Sequence, residues 1–200
     1  MLQVDGLTRL ALGPFDFEVA DGACLAFTGP SGAGKSLLLR AIADLDVNEG
    51  RVKTGALDRA AVSGPEWRRA VALLPAESGW WGAEVAEHFV DAGAIGDLLE
   101  QVGLDREAIN WQVARLSTGE RHRLALVRAL EQGPEVLLLD EPTTMLDAAA
   151  TTLVEDLLRA RMAQGLSIVM VTHDAEQPGR IADQVMRLEG GRLKSAGVDA

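Results

Sequence analysis

A segment near the start of the chain has the residue types and spacing that bind a polyphosphate. Residues 29–36 fit the pattern G-x-x-x-x-G-K-[ST], follow an apolar run and precede a helical run at residues 37–43. Glycines let backbone N–H groups curl around an anion, and the helix offers it a positive end. Lys35 can reach the β- and γ-phosphates of ATP, and the Ser36 hydroxyl can bind Mg²⁺. The residues predicted to hold the nucleotide are Gly29, Pro30, Ser31, Gly32, Ala33, Gly34, Lys35, Ser36 and Leu37.

Two adjacent carboxylates, Asp140 and Glu141, follow the apolar run at residues 136–139. A buried strand that ends in acids delivers them to the edge of a nucleotide site. We expect Asp140 to hold Mg²⁺ through its water shell and Glu141 to act as the general base that polarises the attacking water. Taken alone, the pattern is equally typical of a strand that ends in a solvated acidic turn before Pro142.

A third segment, residues 116–123, lies between these two and runs into a predicted helix. At the start of that helix, the hydroxyl of Ser117 and the backbone N–H of Gly119 make a second anion site. Ser117 and Glu120 also fit a capping box, which is compatible because capping and anion binding use the same helix end. In this order the segments resemble the ATP-binding cassette (ABC) family. Its signature, usually LSGGQ, is matched at Leu116, Ser117 and Gly119, and the flanking Arg121, Arg123, Arg128 and Ala129 also match.

The resemblance covers nearly the whole chain and implies that two copies sandwich two nucleotides. Each γ-phosphate would contact Lys35 of one chain and both Ser117 and Gly119 of the other, in a homodimer or with a paralogous ATPase subunit. His173, after the apolar run at residues 168–172, matches the histidine that bonds the γ-phosphate and helps to orient water. Asp147 matches the loop that reports closure to the opposite site, although it equally fits an ordinary helix N-cap.

The sequence departs from the family in several places. Ala76 and Glu77 stand where the family has a Gln that contacts Mg²⁺. The chain has no Tyr to stack on adenine, for which Leu10 and Phe15 are weak substitutes by position. Thr118 and Glu120 replace the usual Gly and Gln of the signature.

Trp80 and Trp81 lie where the family docks a helix of its membrane partner. We interpret one or both as lining that groove, because aromatic anchors dominate such interfaces; core packing is the alternative. His88 and His122 match no role in the family and are interpreted as surface or packing residues.

Short apolar runs at residues 24–28, 70–74, 136–139 and 167–172 predict buried strands of a mainly parallel sheet. Residues 2–4 and 15–19 predict antiparallel strands at the N-terminus, and residues 185–188 and 192–194 a hairpin across Gly190 and Gly191. Helical spacing over residues 83–132 predicts a helical subdomain inserted in an α/β core. These patterns predict an α/β fold in one domain over residues 1–200, and the resemblance implies a P-loop NTPase core of the ABC ATPase type.

The bulk composition narrows the class of protein. Nineteen Lys and Arg against 30 Asp and Glu give a net charge of −11, which disfavours a nucleic-acid partner. Cys24 is alone and lies in an apolar run, as expected of a buried thiol in a reducing cytoplasm. No window approaches about 18 apolar residues without charge, and no export signal begins the chain, so a separate permease is expected to cross the membrane.

These patterns favour a subunit that binds and hydrolyses ATP to energise a membrane transporter. It would be cytoplasmic and peripheral on the inner face of the cell membrane through the permease. One alternative is a soluble ABC-type ATPase without a transporter, although residues 34–116 leave no room for the long insertions of the repair type. The other is a P-loop small-molecule kinase, which leaves Ser117, Gly119 and His173 unexplained.

Overall fold

Ten strands and six α-helices make up residues 1–195, the part of the chain that the computed structural model describes. The strands are β1 (Leu2–Arg9), β2 (Leu12–Val19), β3 (Cys24–Thr28), β4 (Glu49–Thr54), β5 (Leu57–Asp58), β6 (Val71–Leu74), β7 (Val136–Asp140), β8 (Ser167–Val171), β9 (Gln184–Glu189) and β10 (Arg192–Ser195). The helices are α1 (Lys35–Ile42), α2 (Gly64–Ala70), α3 (Gly96–Gln101), α4 (Thr118–Leu130), α5 (Ala148–Met162) and α6 (Gln177–Ile181). Within residues 1–195, no helix has the length and apolar character needed to cross a bilayer.

The central sheet has the strand order β10-β9-β3-β8-β7-β6. Neighbouring strands run parallel except β10, which pairs with β9 as an antiparallel hairpin. Successive residues of β7 serve two different cores: Leu137 and Leu139 pack with α4 and α5, whereas Val136 and Leu138 pack with α1. A strand that is buried on both faces needs a continuous apolar run, and this is why the runs in the sequence predict β3, β7 and β8 to within one residue.

A second sheet, order β2-β1-β4-β5, is antiparallel throughout. In this sheet β1 begins at the predicted residue and β2 ends at the predicted residue, and both strands are longer than predicted. The strands β4 and β5 and the helix α2 were not predicted. In β4 only Val52 and Thr54 are buried, so its sequence EGRVKT lacks the apolar alternation by which a strand is recognised.

The chain between β6 and β7 is helical, as its spacing predicts. It contains α3, α4 and short 3₁₀ segments at Val85–His88, Arg106–Asn110 and Val113–Arg115. The apolar positions that suggested helices are buried: Ile95, Leu99, Val102, Leu124, Leu126, Val127 and Leu130. That residues 83–132 form a separate inserted subdomain stays a prediction.

The first testable consequence concerns the single cysteine. Cys24 is 1% exposed in β3, and its backbone N–H donates to Asp183 Oδ2 at 2.8 Å. Burial, and then the negative charge of Asp183, raise the pKa of the Cys24 thiol to about 12. We expect no reaction with a thiol-specific probe at mildly alkaline pH in the folded protein and rapid reaction in guanidinium chloride, because only the thiolate is nucleophilic. Equal rates in both conditions would contradict this burial.

The second consequence concerns Gly29, the residue that follows β3. Its φ is +141°, and a Cβ added there would overlap the backbone carbonyl oxygen of Leu188 in β9. Gly29→Ala is therefore expected to lower the free energy of unfolding by about 2 kcal/mol, measured by urea denaturation. The matched control is Gly179→Ala, because a Cβ at Gly179 meets nothing within 4 Å and φ there is not positive. A loss no larger than that of the control would contradict the expected strain.

Candidate functional site

Four adjacent parallel strands, β3, β8, β7 and β6, present their carboxyl ends at the same edge of the central sheet. The segments that follow these strands are the ones predicted to carry the chemistry. They surround a cavity of about 300 Å³. Its lining residues are Ser31, Gly32, Gly34, Lys35, Ser36, Leu37, Ala76, Asp140, Glu141, Val171 and His173.

The phosphate loop, residues 29–36, joins β3 to α1. Gly34 takes the position before the helix with φ +99°, and α1 begins at Lys35, two residues earlier than predicted. The loop closes on itself because the N–H of Ala33 donates to the carbonyl of Pro30 at 3.2 Å. The start of α1 therefore points into the cavity, as required of a helix that receives an anion.

Lys35 is folded back on its own loop. It is 5% exposed, and its Nζ donates to the carbonyl oxygens of Gly29 at 2.8 Å and Pro30 at 3.0 Å. Burial lowers the pKa of Lys35, and the charges of Glu141 and Asp140 oppose that shift. Its hydrogen-bond partners are neutral carbonyls rather than carboxylates, so no ion pair has to be broken before it contacts an anion.

Asp140, the last residue of β7, is 8% exposed. Burial raises the pKa of its carboxyl; a hydrogen bond from Ser36 opposes this shift, and the nearby charge of Glu141 adds to it. The structure thus brings together the two residues predicted to bind Mg²⁺. A partly desolvated carboxylate beside a hydroxyl is a favourable pair of ligands for a hard divalent cation.

Glu141 has φ +57°, a left-handed conformation that costs roughly 1–2 kcal/mol in a residue with a Cβ. Its backbone is held by the bond from its N–H to the carbonyl of Val171 at 2.9 Å. Its Oε2 accepts from Thr144 Oγ1 at 2.8 Å and from the N–H of His173 at 3.2 Å. His173 Nε2 lies 3.3 Å from Oε1 without a hydrogen bond, so Oε1 keeps its acceptor capacity.

The signature residues lie outside this cavity. Ser117 caps α4 in a capping box: its Oγ accepts from the N–H of Glu120 at 3.2 Å, and Glu120 Oε2 accepts from the N–H of Ser117 at 2.8 Å. A Cβ at Gly119 would lie 3.2 Å from the carbonyl of Met145, so the turn before α5 packs on the start of α4. Asp147 caps α5 through the N–H of Ala150 at 2.8 Å, as its capping interpretation predicts.

One expectation at the rim, stacking by Phe15, needs correction, and the structure gives the positions of the others. Phe15 is 1% exposed in the core and cannot stack on a base, whereas Leu10 is 87% exposed at the turn between β1 and β2. Ala76 lines the phosphate-loop cavity, but Glu77 lines a neighbouring one. His88 and His122 are buried packing residues.

Thr144, whose hydroxyl donates to Glu141, was missed because a lone threonine in a turn carries no pattern of its own.

A second, larger concavity of about 610 Å³ lies between α1, α2, β6 and α4. Its walls are mostly apolar. They include four arginines and no acidic residue. The lining residues are Arg40, Ala43, Leu45, Arg68, Arg69, Ala72, Leu73, Leu74, Pro75, Ser78, Trp81, Ala125, Arg128, Ala129 and Gln132. We call it the arginine groove.

The two tryptophans have different positions at the arginine groove. Trp81 is 74% exposed and lines it, whereas Trp80 is partly buried and packs against the core. The guanidinium carbon of Arg128 lies 4.8 Å from the ring centroid of Trp80 and 5.1 Å from that of Trp81, within the range of cation–π attraction. Trp81 therefore lines a groove and Trp80 packs against the core, whereas docking of a membrane partner at this groove stays a prediction.

Comparison with known proteins places these features in a family. The family model described as ABC transporter matches residues 12–144. The aliphatic sulfonates import ATP-binding protein SsuB 3 of Nocardia farcinica is 40% identical over 191 residues, 92% of this chain and 73% of that protein. The Fe(3+) ions import ATP-binding protein FbpC of Streptomyces avermitilis is 36% identical over 204 residues, 94% of this chain and 58% of that protein. The chain thus spans less than two thirds of the length of FbpC.

The fold agrees with this match. A solved structure of the ATP binding subunit of an ABC transporter superposes on the chain with a TM-score of 0.87 at 26% identity, covering 98% of this chain and 89% of that one. The matched family region includes the phosphate loop, the capped start of α4 and the carboxylates at the end of β7, in that order. On this sequence match and this shared fold, the chain belongs to the ABC transporter family.

Proposed function

We propose that this chain is the ATP-binding and ATP-hydrolysing subunit that energises a membrane transporter, through nucleotide-driven closure of two such subunits. One observation supports the ATPase assignment above all others. Lys35, Ser36, Asp140, Glu141 and His173 come from the ends of three separate strands and line one cavity of about 300 Å³. A cation, a metal-binding pair, a base and an orienting imidazole in one cavity are the parts that phosphoanhydride hydrolysis needs.

In this proposal the phosphates of ATP lie along the phosphate loop and the start of α1. The ammonium of Lys35 leaves the carbonyls of Gly29 and Pro30 for the phosphate oxygens, which are stronger acceptors because they are charged. Ser36 and Asp140 are the residues that would hold Mg²⁺. The ion, when bound, neutralises charge on the β- and γ-phosphates.

Glu141 is the proposed general base. Thr144 and the backbone of His173 hold Oε2, whereas Oε1 is buried beside the imidazole of His173 without a hydrogen-bond partner and would accept the proton once the attacking water reaches it. The imidazole of His173 lies beside the same oxygen and is half exposed, so it can contact both the water and the γ-phosphate. General-base catalysis by a carboxylate placed in this way contributes about 10²–10⁴-fold to the rate.

The cavity of one chain contains only part of the proposed catalytic centre. Among the described residues, Ser117 and Gly119 do not line it, and Ser117 points its hydroxyl at Glu120. We propose that this capped helix start binds the γ-phosphate held by a second, identical or paralogous, subunit. Two helix starts then face each γ-phosphate, which explains why closure depends on the intact nucleotide.

We propose that the arginine groove is where the transmembrane partner docks. It is apolar, larger than the nucleotide cavity and carries Arg40, Arg68, Arg69 and Arg128, although the chain as a whole has a net charge of −11. An apolar helix with acidic residues complements such a surface in both shape and charge. Docking would hold the chain at the inner face of the cell membrane.

Replacing the proposed base tests the ATPase. Glu141→Gln keeps the side-chain size but removes the proton acceptor, so ATP turnover should fall about 10²–10⁴-fold while ATP is still bound. Sedimentation velocity should then detect a dimer with ATP and a monomer without it. The control is Glu100→Gln, an exposed carboxylate that bonds Arg106 on the surface, and it should keep wild-type turnover. A monomeric sample that hydrolyses ATP at the full rate would contradict the proposal.

The docking proposal is tested by Trp81→Ala. This change removes an exposed aromatic anchor, so association with the transmembrane partner in purified membranes should weaken about 30-fold, equivalent to ~2 kcal/mol. Affinity for ATP, measured by titration calorimetry, should not change.

Val90→Ala is the matched control, since Val90 is a 78% exposed apolar residue that does not line the groove. Parallel loss of partner and nucleotide binding in Trp81→Ala would indicate a packing role instead.

A further inference from the structure

A buried carboxylate on α5 is connected by hydrogen bonds to the segments that follow Glu141 and His173. The side chain of Glu155 is 4% exposed. Its two oxygens accept from Arg180 Nε at 3.1 Å each, and Oε1 also accepts from Arg180 Nη2 at 3.0 Å. A buried charge destabilises the fold unless its partners are well placed, so this arrangement fixes Arg180 closely relative to α5.

Arg180 carries this restraint to the segment that holds His173. Its Nη2 donates to Asp174 Oδ2 at 2.7 Å, and Asp174 Oδ1 accepts from the N–H of Glu176 at 2.8 Å. The Arg180 guanidinium holds the pKa of Asp174 below its usual range. The residue next to His173 is thus tied to α5 through the guanidinium of Arg180, whose backbone carbonyl also accepts from Arg159 Nη2 of α5 at 3.1 Å.

A second branch reaches the other side of the site. Gln177 is 0% exposed, and its Nε2 donates to Thr143 Oγ1 at 2.9 Å and to Glu155 Oε1 at 3.4 Å. Thr143 lies two residues after Glu141. Glu155 therefore connects, through Gln177 and Arg180, the turn that follows the proposed base and the segment that follows the proposed imidazole.

His173 depends on such restraints because its own side chain is not packed. It is 51% exposed, and its contacts with Glu141 are the backbone bond of 3.2 Å to Oε2 and the 3.3 Å approach of Nε2 to Oε1. Its orientation therefore follows the backbone of the segment after β8. Any change in that backbone moves the imidazole relative to the carboxylate.

We propose that Glu155 and Arg180 are positioning residues that set the orientation of His173 against Glu141, an inference that rests on the proposed ATPase function. Neither side chain lines the phosphate-loop cavity among the described residues, so both act through Asp174 and Gln177. The alternative is an ion pair that only stabilises the fold.

Two variants break this set of hydrogen bonds at different residues, and a third weakens it. Asp174→Asn removes the charge that Arg180 holds but leaves an oxygen for the N–H of Glu176, and its position is 42% exposed, so folding is retained. Glu155→Gln removes the buried charge that both Gln177 and Arg180 contact. Arg180→Lys keeps the charge but loses the two-pronged geometry, and it should give an intermediate effect. Arg106→Gln, which breaks an exposed ion pair with Asp97 and Glu100 on α3, is the control.

The first readout is steady-state kinetics. With a misplaced imidazole, kcat should fall on the order of ten-fold with KM for ATP unchanged, since misplacement of a catalytic group costs rate rather than binding. The second readout is NMR of the histidine Cε1–H signals, which number three in this chain. The His173 signal should move in the nucleotide-free variants, and that of His88, which packs against Trp80 and Trp81 away from these hydrogen bonds, should stay in place.

Several outcomes overturn the inference. An unchanged kcat and an unmoved His173 signal in both Asp174→Asn and Glu155→Gln would do so. So would a movement of the His88 signal together with a loss of thermal stability, because His88 lies outside these hydrogen bonds and its movement marks a purely structural ion pair. If the wild-type chain fails to hydrolyse ATP, the proposed function fails, and the NMR measurement still decides the inference.

Discussion

The site depends above all on the register of three parallel strands at the centre of the sheet. Val171 of β8 is paired with Phe27 of β3 on one side and with Asp140 of β7 on the other. These backbone ladders bring the phosphate loop, the two carboxylates and His173 to one edge, although the phosphate loop precedes the carboxylates by more than a hundred residues. A shift of one residue in either ladder would turn the side chains to the opposite face, so both cores oppose it.

The groups at that edge lower the stability of the folded protein. Burial disfavours the charge of Lys35 and that of Asp140 at the same time, and Glu141 is kept in a left-handed conformation. The surrounding sheet holds these groups in place because its strands are fully buried on both faces. Groups that are poorly solvated and strained before a ligand arrives need little rearrangement when it does.

The helix α4 connects two surfaces with different electrostatic character. It is 13 residues long, about 20 Å, and starts at the exposed signature with Ser117 as its cap. Near its other end Arg128 lines the arginine groove, donates to the carbonyl of Gly79 at 3.2 Å and lies against both tryptophans. A helix fixed at both ends in this way joins the proposed docking groove to the proposed phosphate-binding helix start.

The sequence alone determined the parts whose signal is local. The glycine pattern specifies the phosphate loop, continuous apolar runs specify strands buried on both faces, and Ser117 with Glu120 specifies the capped start of α4. The polar strand β4 was not predicted, because its burial comes from neighbours far along the chain, whereas α2 was missed although Ser63 and Glu66 carry the local signal of a helix start. The tertiary structure also decided that Phe15 lies in the core, that Trp81 rather than Trp80 lines the groove, and that Ser117 lies outside the cavity of its own chain. Only the order of strands in the sheet brings distant residues together, and no local pattern encodes that order.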